Sequence, residues 1–206
     1  MKLYTFDPAP NPQRLALFMK YKGIEIETQQ VDMMAAEQLG EAYRAINPDC
    51  TVPALVLDDG TVLTEVVGMC TYLEGLHPDK PLMGSTPLEK AQVISWAHKI
   101  FAGLMMPIAG MLRNRSDAFR DRALPGALDI PPIPELVDRG VLMLGHILPK
   151  IDAHLADNTW VAGDNLTFAD IELLISVDFL GWVKQSIPED CNNLKAWYER
   201  ASAELT

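Results

Sequence analysis

The chain has 206 residues, enough for one large domain or two small ones with a substantial core. A composition of 49% hydrophobic and 22% charged residues is that of a globular protein, not a disordered or fibrous one. The net charge of −11 is shared as −6 over residues 1–80 and −5 over 81–206, with no basic cluster, which argues against a nucleic-acid or anionic-membrane surface.

The first 80 residues alternate in type. "KLYTF" reads as a buried strand, followed by the turn-rich "DPAPNP" and a helix with Leu15, Phe18 and Met19 on one face, closed by Gly23. "IEIETQQVD" alternates like a strand. Leu39, Ala42, Tyr43 and Ile46 fall at i, i+3, i+4 and i+7 of a second helix, which Asn47-Pro48 stops. "VPALVLDDGTVLT" reads as a β-hairpin around a glycine-bearing turn, and a third helix runs from about Glu65 to Leu76 with Val66, Met69, Cys70 and Leu73 in phase. The order βαβ, α, ββα requires a parallel pairing at the start and adds the hairpin antiparallel to the same sheet.

After the proline-rich "HPDKPLMGSTP" the pattern is helical only. Residues 88–113 are apolar on nearly every side around Val93, Ala97, Ile100, Leu104, Ile108 and Met111, with a kink expected at Pro107. Residues 114–134, with four prolines, form a long connection. Val137, Val141, Leu144, Leu148, Ile151 and Leu155 then repeat at heptad-like spacing with Pro149 as a second kink, and a bundle suits so short a segment better than a coiled coil. In "DNLTFADIELLISVDF", Thr167 caps a helix and Asp170 returns the bond, a capping box with Asp in the usual Glu role.

The N-terminus lacks the apolar run of a signal or transit peptide, and no segment reads as a bilayer span. Cys50, Cys70 and Cys191 are few, odd in number and far apart, which suits reduced thiols in a cytoplasmic protein. His77, His98, His146 and His154 make no ligand-spaced pair, so no metal site is expected.

Four segments in order, "APNPQRLALFMKYKGIEIETQQVD", "NPDCTVPALVLDDGTVLTE", "YLEGLHPDKPLMG" and "GDNLTFADIELLISVDF", resemble bacterial glutathione transferases over almost the whole chain. The resemblance implies an α/β thioredoxin-like domain at residues 1–78, a linker at 79–85 and an all-α helical bundle at 86–206. It implies a cis Val52-Pro53 bond, which turns the Val52 backbone N–H and C=O towards a ligand, so that the cysteinyl unit of glutathione adds to Val52 as an extra strand. Thr51 would meet the glycyl end. Glu65 and the N-terminus of the third helix would hold the γ-glutamyl end, where the family carries an acid–serine pair and this chain has Val66 in the serine's place.

The family sets a thiolate-stabilising Tyr, Ser, Cys or Asn just after the first strand. In "FDPAPNPQR" Asn11 is the best candidate, its amide N–H donating to the thiolate. Tyr4 and Thr5 are weaker ones, and Asn11-Pro12 also reads as a plain helix cap followed by proline. Arg14 reads as structural, with a charge that also favours a thiolate. Phe101 and Met105 would contribute to a pocket for a small hydrophobic electrophile, with residues 114–134 as its lid. The implied activity is conjugation of glutathione, as co-substrate, by a homodimer that binds neither nucleic acid nor membrane. An ether-cleaving or dehalogenating subtype and a non-catalytic, transferase-like regulator are the alternatives.

Overall fold

The computed structural model of the protein describes residues 1–119 and 121–206. They form two compact units, one of Met1–Lys80 with Leu124–Asp129, the other of Pro81–Ala123 with Ile130–Thr206.

The first unit holds a four-stranded sheet of β1 (Lys2–Thr5), β2 (Glu27–Gln30), β3 (Ala54–Val56) and β4 (Val62–Leu63) in the order β2-β1-β3-β4. β1 runs parallel to β2, with Leu3 opposite Thr28, while β3 is antiparallel to both β1 and β4. This is the mixed sheet the element order requires. Helix α1 (Pro10–Lys22) buries Leu15, Phe18 and Met19 and stops at Gly23, whose left-handed backbone (φ +68°) closes the last turn onto the Met19 and Lys20 carbonyls. Lys22 Nζ lies 2.8 Å from Glu74 Oε2 and donates to the carbonyls of Asp79 and Lys80, tying the end of α1 to α3 (Val66–Leu76) and the chain beyond it.

Two elements differ from expectation. β2 is shorter than "IEIETQQVD" and wholly exposed; the residues that bury there are Ile24 and Val31 on either side. The second helix is broken at Gly40 into a 3-10 turn (Glu37–Leu39) and the single turn α2 (Glu41–Arg44), so Tyr43 alone of the expected stripe is fully buried and Ala42 is exposed.

The second unit is helical: α4 (Pro87–Ile100), α5 (Met106–Arg115), α6 (Glu135–Leu155), α7 (Phe168–Leu180) and α8 (Asn192–Leu205). α4 and α5 are one continuous helix with a π-helical insertion at Phe101–Met105. The insertion lies just ahead of Pro107, where proline removes an N–H and crowds the carbonyl four residues back. Against the expectation that no segment reads as a bilayer span, this 29-residue helix is long and apolar enough for one by length and composition alone. Its Val93, Ile100, Leu104, Ile108 and Met111 are at most 1% exposed within the unit, as in the core helix of a bundle.

α6 continues through Pro149, and its buried stripe is Gly140, Leu144, Leu148, Ile151 and Leu155; Val141, expected inside, is 44% exposed. Glycine occupies the inner position because α5 passes too close for a side chain: a Cβ at Gly140 would lie 2.3 Å from Met111 Cγ. α7 is buried along nearly its whole length, and its capping box forms as expected. Asp170 also accepts from Trp197 Nε1 on α8 at 3.0 Å and from the Val161 N–H at 2.9 Å, two bonds the local motif does not announce.

Candidate functional site

The sheet topology decides which loops meet. Because β3 is antiparallel to β1 and β4, the ends of β1 and β4 and the start of β3 lie along one edge; Tyr4 is opposite Ala54, and Leu63 opposite Leu55. The loop into α1, the Thr51–Pro53 segment and the Glu65–Val66 junction therefore collect at the same edge, each at the start of a helix or strand. Ligands of open α/β sheets bind at such an edge, where strands end and helices begin.

The Val52-Pro53 bond is cis. The Val52 side chain is buried beside Val31 and Tyr43, with Tyr4, Phe6, Met33 and Ile46 packed around them. Among the described residues, neither the N–H nor the C=O of Val52 makes a hydrogen bond. An anchored residue with an unpaired backbone at the start of a strand has the N–H and C=O that another extended chain can pair with.

Behind Val52 stands a brace that sequence reasoning missed. Asn47, read only as part of a helix stop, is 1% exposed. Its Nδ2 donates to the Thr51 carbonyl (2.9 Å) and hydroxyl oxygen (3.1 Å), and its Oδ1 accepts from the Asp49 N–H at 3.1 Å. Tyr43 donates its hydroxyl to the same Thr51 carbonyl at 2.6 Å. An Asn-Pro pair four residues ahead of Thr51 was the available signal, but Asn–Pro is far commoner as a plain turn.

Burial pushes the Tyr43 phenol up to about 12. Since the folded value lies above the unfolded one of about 10, the stability from neutral Tyr43 is complete below pH ~10 and is lost as pH rises from there to about 12. Tyr43→Phe should cost about 1 kcal/mol at neutral pH. It should also flatten the alkaline part of the stability curve, read by denaturant titration at successive pH values.

Glu65 precedes α3 with φ +63° and ψ 122°, a backbone region costly for any residue with a side chain. Such strain, about 1–3 kcal/mol, persists where surrounding structure imposes it, and it clusters at ligand sites. The Glu65 side chain is exposed and does not cap the helix, so the first N–H groups of α3 have no side-chain cap. Val66 follows at 3% exposure, packed in the stripe with Met69, Cys70 and Leu73.

Asn11 is not the helix cap. The capping position is Ala9, with Pro10 first in the helix and Asn11 second. The prolines at 10 and 12 have no N–H, and the Gln13 N–H returns to the Ala9 carbonyl at 3.1 Å, so Asn11 carries the backbone donor of this turn that has no acceptor among the described residues. Its Oδ1 accepts from Arg14 Nη1 at 2.8 Å, leaving the exposed side-chain amide nitrogen as the end able to donate. Arg14 is itself buried, at 3% exposure. Thr5 is buried too, whereas Tyr4 lies edge-on to Tyr43 within the core. In the second unit Met105 is buried and Phe101 half-buried, both on the π-helical segment. Among the described residues no group of His, Cys, Asp and Glu is placed to hold a metal ion.

The description "Glutathione S-transferase, N-terminal domain" matches residues 9–76, and "Glutathione S-transferase, C-terminal domain" matches residues 130–204. The chain is 28% identical to Glutathione S-transferase 2 of Saccharomyces cerevisiae over 97% of its own length and 84% of that protein's. The crystal structure of a glutathione S-transferase domain-containing protein of Marinobacter aquaeolei VT8 superposes with a TM-score of 0.90 at 30% identity, covering all of both chains. That of Gtt2 from Saccharomyces cerevisiae gives 0.89 at 25%, again over both full lengths. A mixed sheet with a cis Val52-Pro53 ahead of β3, an all-helical second unit and these matches lead to one conclusion: the chain belongs to the glutathione S-transferase family, whose co-substrate is glutathione.

Proposed function

We propose that this protein binds glutathione as an added strand at Val52 and transfers its thiolate to a small hydrophobic electrophile. The observation that carries this reading is the unpaired Val52 backbone at the start of β3, held in place by the Asn47–Thr51 brace. Glutathione's cysteinyl unit supplies the complementary N–H and C=O. Its γ-glutamyl carboxylate suits the uncapped start of α3, and Thr51 faces the glycyl end. Asn11 donates to the sulfur, favouring the thiolate that attacks the electrophile; the electrophile's leaving group departs with the bonding pair, or its double bond takes up a proton. Three buried free thiols fit a cytoplasmic setting. The family's assembly, with the exposed Tyr72, Leu76, Leu88 and Ile94, favours a homodimer.

Retention on immobilised glutathione, followed by turnover of an activated aryl halide, tests the activity, and light scattering should give twice the 22.8 kDa chain mass. Val66 favours a second reading, a binding protein without catalysis, because it offers no hydroxyl to a ligand carboxylate. No retention and no turnover would favour that second reading over the first.

Val66→Ser separates the two further. A hydrogen bond to a charged group contributes roughly 1.5–3 kcal/mol, so the variant should tighten glutathione binding by about one to two orders of magnitude in calorimetry. Because Val66 is 3% exposed, the same change should lower stability by about 1–2 kcal/mol. Lowered stability with unchanged affinity would place the carboxylate elsewhere.

A further inference from the structure

Residues Leu124–Asp129 belong to the first unit although both their neighbours along the chain belong to the second. The neck of this loop is pinned within the second unit: the Ala123 N–H donates to the Ile130 carbonyl at 3.0 Å, the Ile130 N–H to the Asp121 carbonyl at 3.2 Å, and Arg113 Nη1 to the Arg122 carbonyl at 2.8 Å. At its tip, Gly126 has φ +100°, and a Cβ there would lie 2.9 Å from the Asp49 carbonyl oxygen, closer than such atoms approach in practice. Glycine is thus required twice, by the backbone conformation and by the near contact.

Asp49 leads directly into Cys50, Thr51 and Val52. From inside, this turn is braced by Asn47 and Tyr43; its outer side, at Pro48 and Asp49, is exposed apart from the glycine laid on the Asp49 carbonyl. Cys50 has φ +55°, a left-handed turn in a non-glycine residue that needs support from its surroundings.

We propose that Gly126 is a positioning residue for glutathione: the loop tip clamps the Asp49–Thr51 turn from outside and so fixes where Thr51 and the Val52 backbone meet the tripeptide. This rests on the glutathione reading above. A side chain at 126 must lift the tip or shift the turn. A displacement of even part of an ångström misaligns two backbone bonds and one hydroxyl bond at once, enough to weaken binding about three- to tenfold without touching the transfer step.

The experiment compares Gly126→Ala and Gly126→Asn with Leu128→Ala, a control in the same loop whose side chain is 53% exposed. Asparagine tolerates positive φ better than alanine yet still carries a Cβ, so it keeps the contact effect with less backbone strain. Both Gly126 variants should raise KM for glutathione about three- to tenfold with kcat within about twofold. They should also speed exchange of the Asp49 and Cys50 amides, whose bonds to Asn47 lie within the clamped turn. Leu128→Ala should change neither. Unchanged KM and unchanged exchange in both Gly126 variants would overturn the proposal. If the unaltered protein fails to bind glutathione, the functional reading falls instead, and the exchange rates still decide whether the tip holds the turn.

Discussion

Asp170→Ala should be the most damaging single substitution in the second unit, lowering its stability by roughly 3–5 kcal/mol. The carboxylate is fully buried and accepts four hydrogen bonds. The Val161 N–H and Trp197 Nε1 reach Oδ1 at 2.9 and 3.0 Å, while the Thr167 N–H and hydroxyl reach Oδ2 at 2.9 and 3.0 Å. Burial pushes the carboxyl pKa up against the opposing pull of those donors, so the charge is tolerable there only because the donors are present. Alanine leaves three buried N–H groups with nothing to accept them, each costing about 1–3 kcal/mol, less what local relaxation recovers.

With domain stabilities of about 5–15 kcal/mol, such a loss sends a large share of the protein to aggregation at growth temperature. The measurement is thermal unfolding of any soluble fraction, followed by the loss of helical circular dichroism. Trp197→Phe, which removes one donor and keeps most of the packing, should cost less than half as much. A double-mutant cycle should show the two changes to be strongly non-additive. Equal and additive costs would mean that the indole contributes by packing alone.

The asymmetry around Asp170 shows what a sequence makes legible. The capping box was readable because it is local: two side chains three residues apart serve one helix end. The bonds from Val161 and Trp197, 9 and 27 residues away, were not, because nothing in the spacing announces them. The same division holds at the edge of the sheet where β3 starts. The turn at Val52-Pro53 and the helix opening at Glu65 could be read through the resemblance, but the brace of Asn47 and Tyr43 on the Thr51 carbonyl appears only once the chain has turned back on itself. Periodicity failed where a glycine or proline had a second role. Gly40 split one expected helix into two short turns. Gly140 moved the inner stripe of α6 because α5 passes against it. At Pro107 the irregularity takes the form of a π-helical turn just upstream, Phe101–Met105, which periodicity does not announce.

Asn11→Ala should have the largest effect on activity, lowering the rate of glutathione conjugation about 10- to 100-fold at neutral pH. An amide N–H to a thiolate is a hydrogen bond to a charged group, worth roughly 1.5–3 kcal/mol, and one pKa unit of the bound thiol corresponds to about 1.4 kcal/mol. Removing it should therefore raise the apparent pKa of bound glutathione by about one to two units, and the pH–rate profile should shift to higher pH by the same amount. The sign is fixed by which form the donor favours. Stabilising the anion lowers the thiol pKa, so its loss raises it, and the deficit shrinks as the pH is raised towards the thiol's own ionisation.

Stability should fall by no more than about 1–3 kcal/mol, the cost of the lost bond to Arg14. Ala9 holds the capping position, Asn11 is exposed, and alanine is a better helix former than asparagine. One secondary effect must be separated, because Asn11 Oδ1 is also an acceptor for the buried Arg14. Asn11→Asp keeps that acceptor but, in the site proposed above, exchanges the amide donor for a negative charge beside the sulfur. If the amide acts on the thiolate, Asn11→Asp should be slower than Asn11→Ala while remaining as well folded as the unaltered protein. If the residue acts only by holding Arg14, Asn11→Asp should keep full activity and an unshifted pH–rate profile, and the thiolate would then have to be stabilised by another donor, of which the Asn11 backbone N–H is the nearest in sequence.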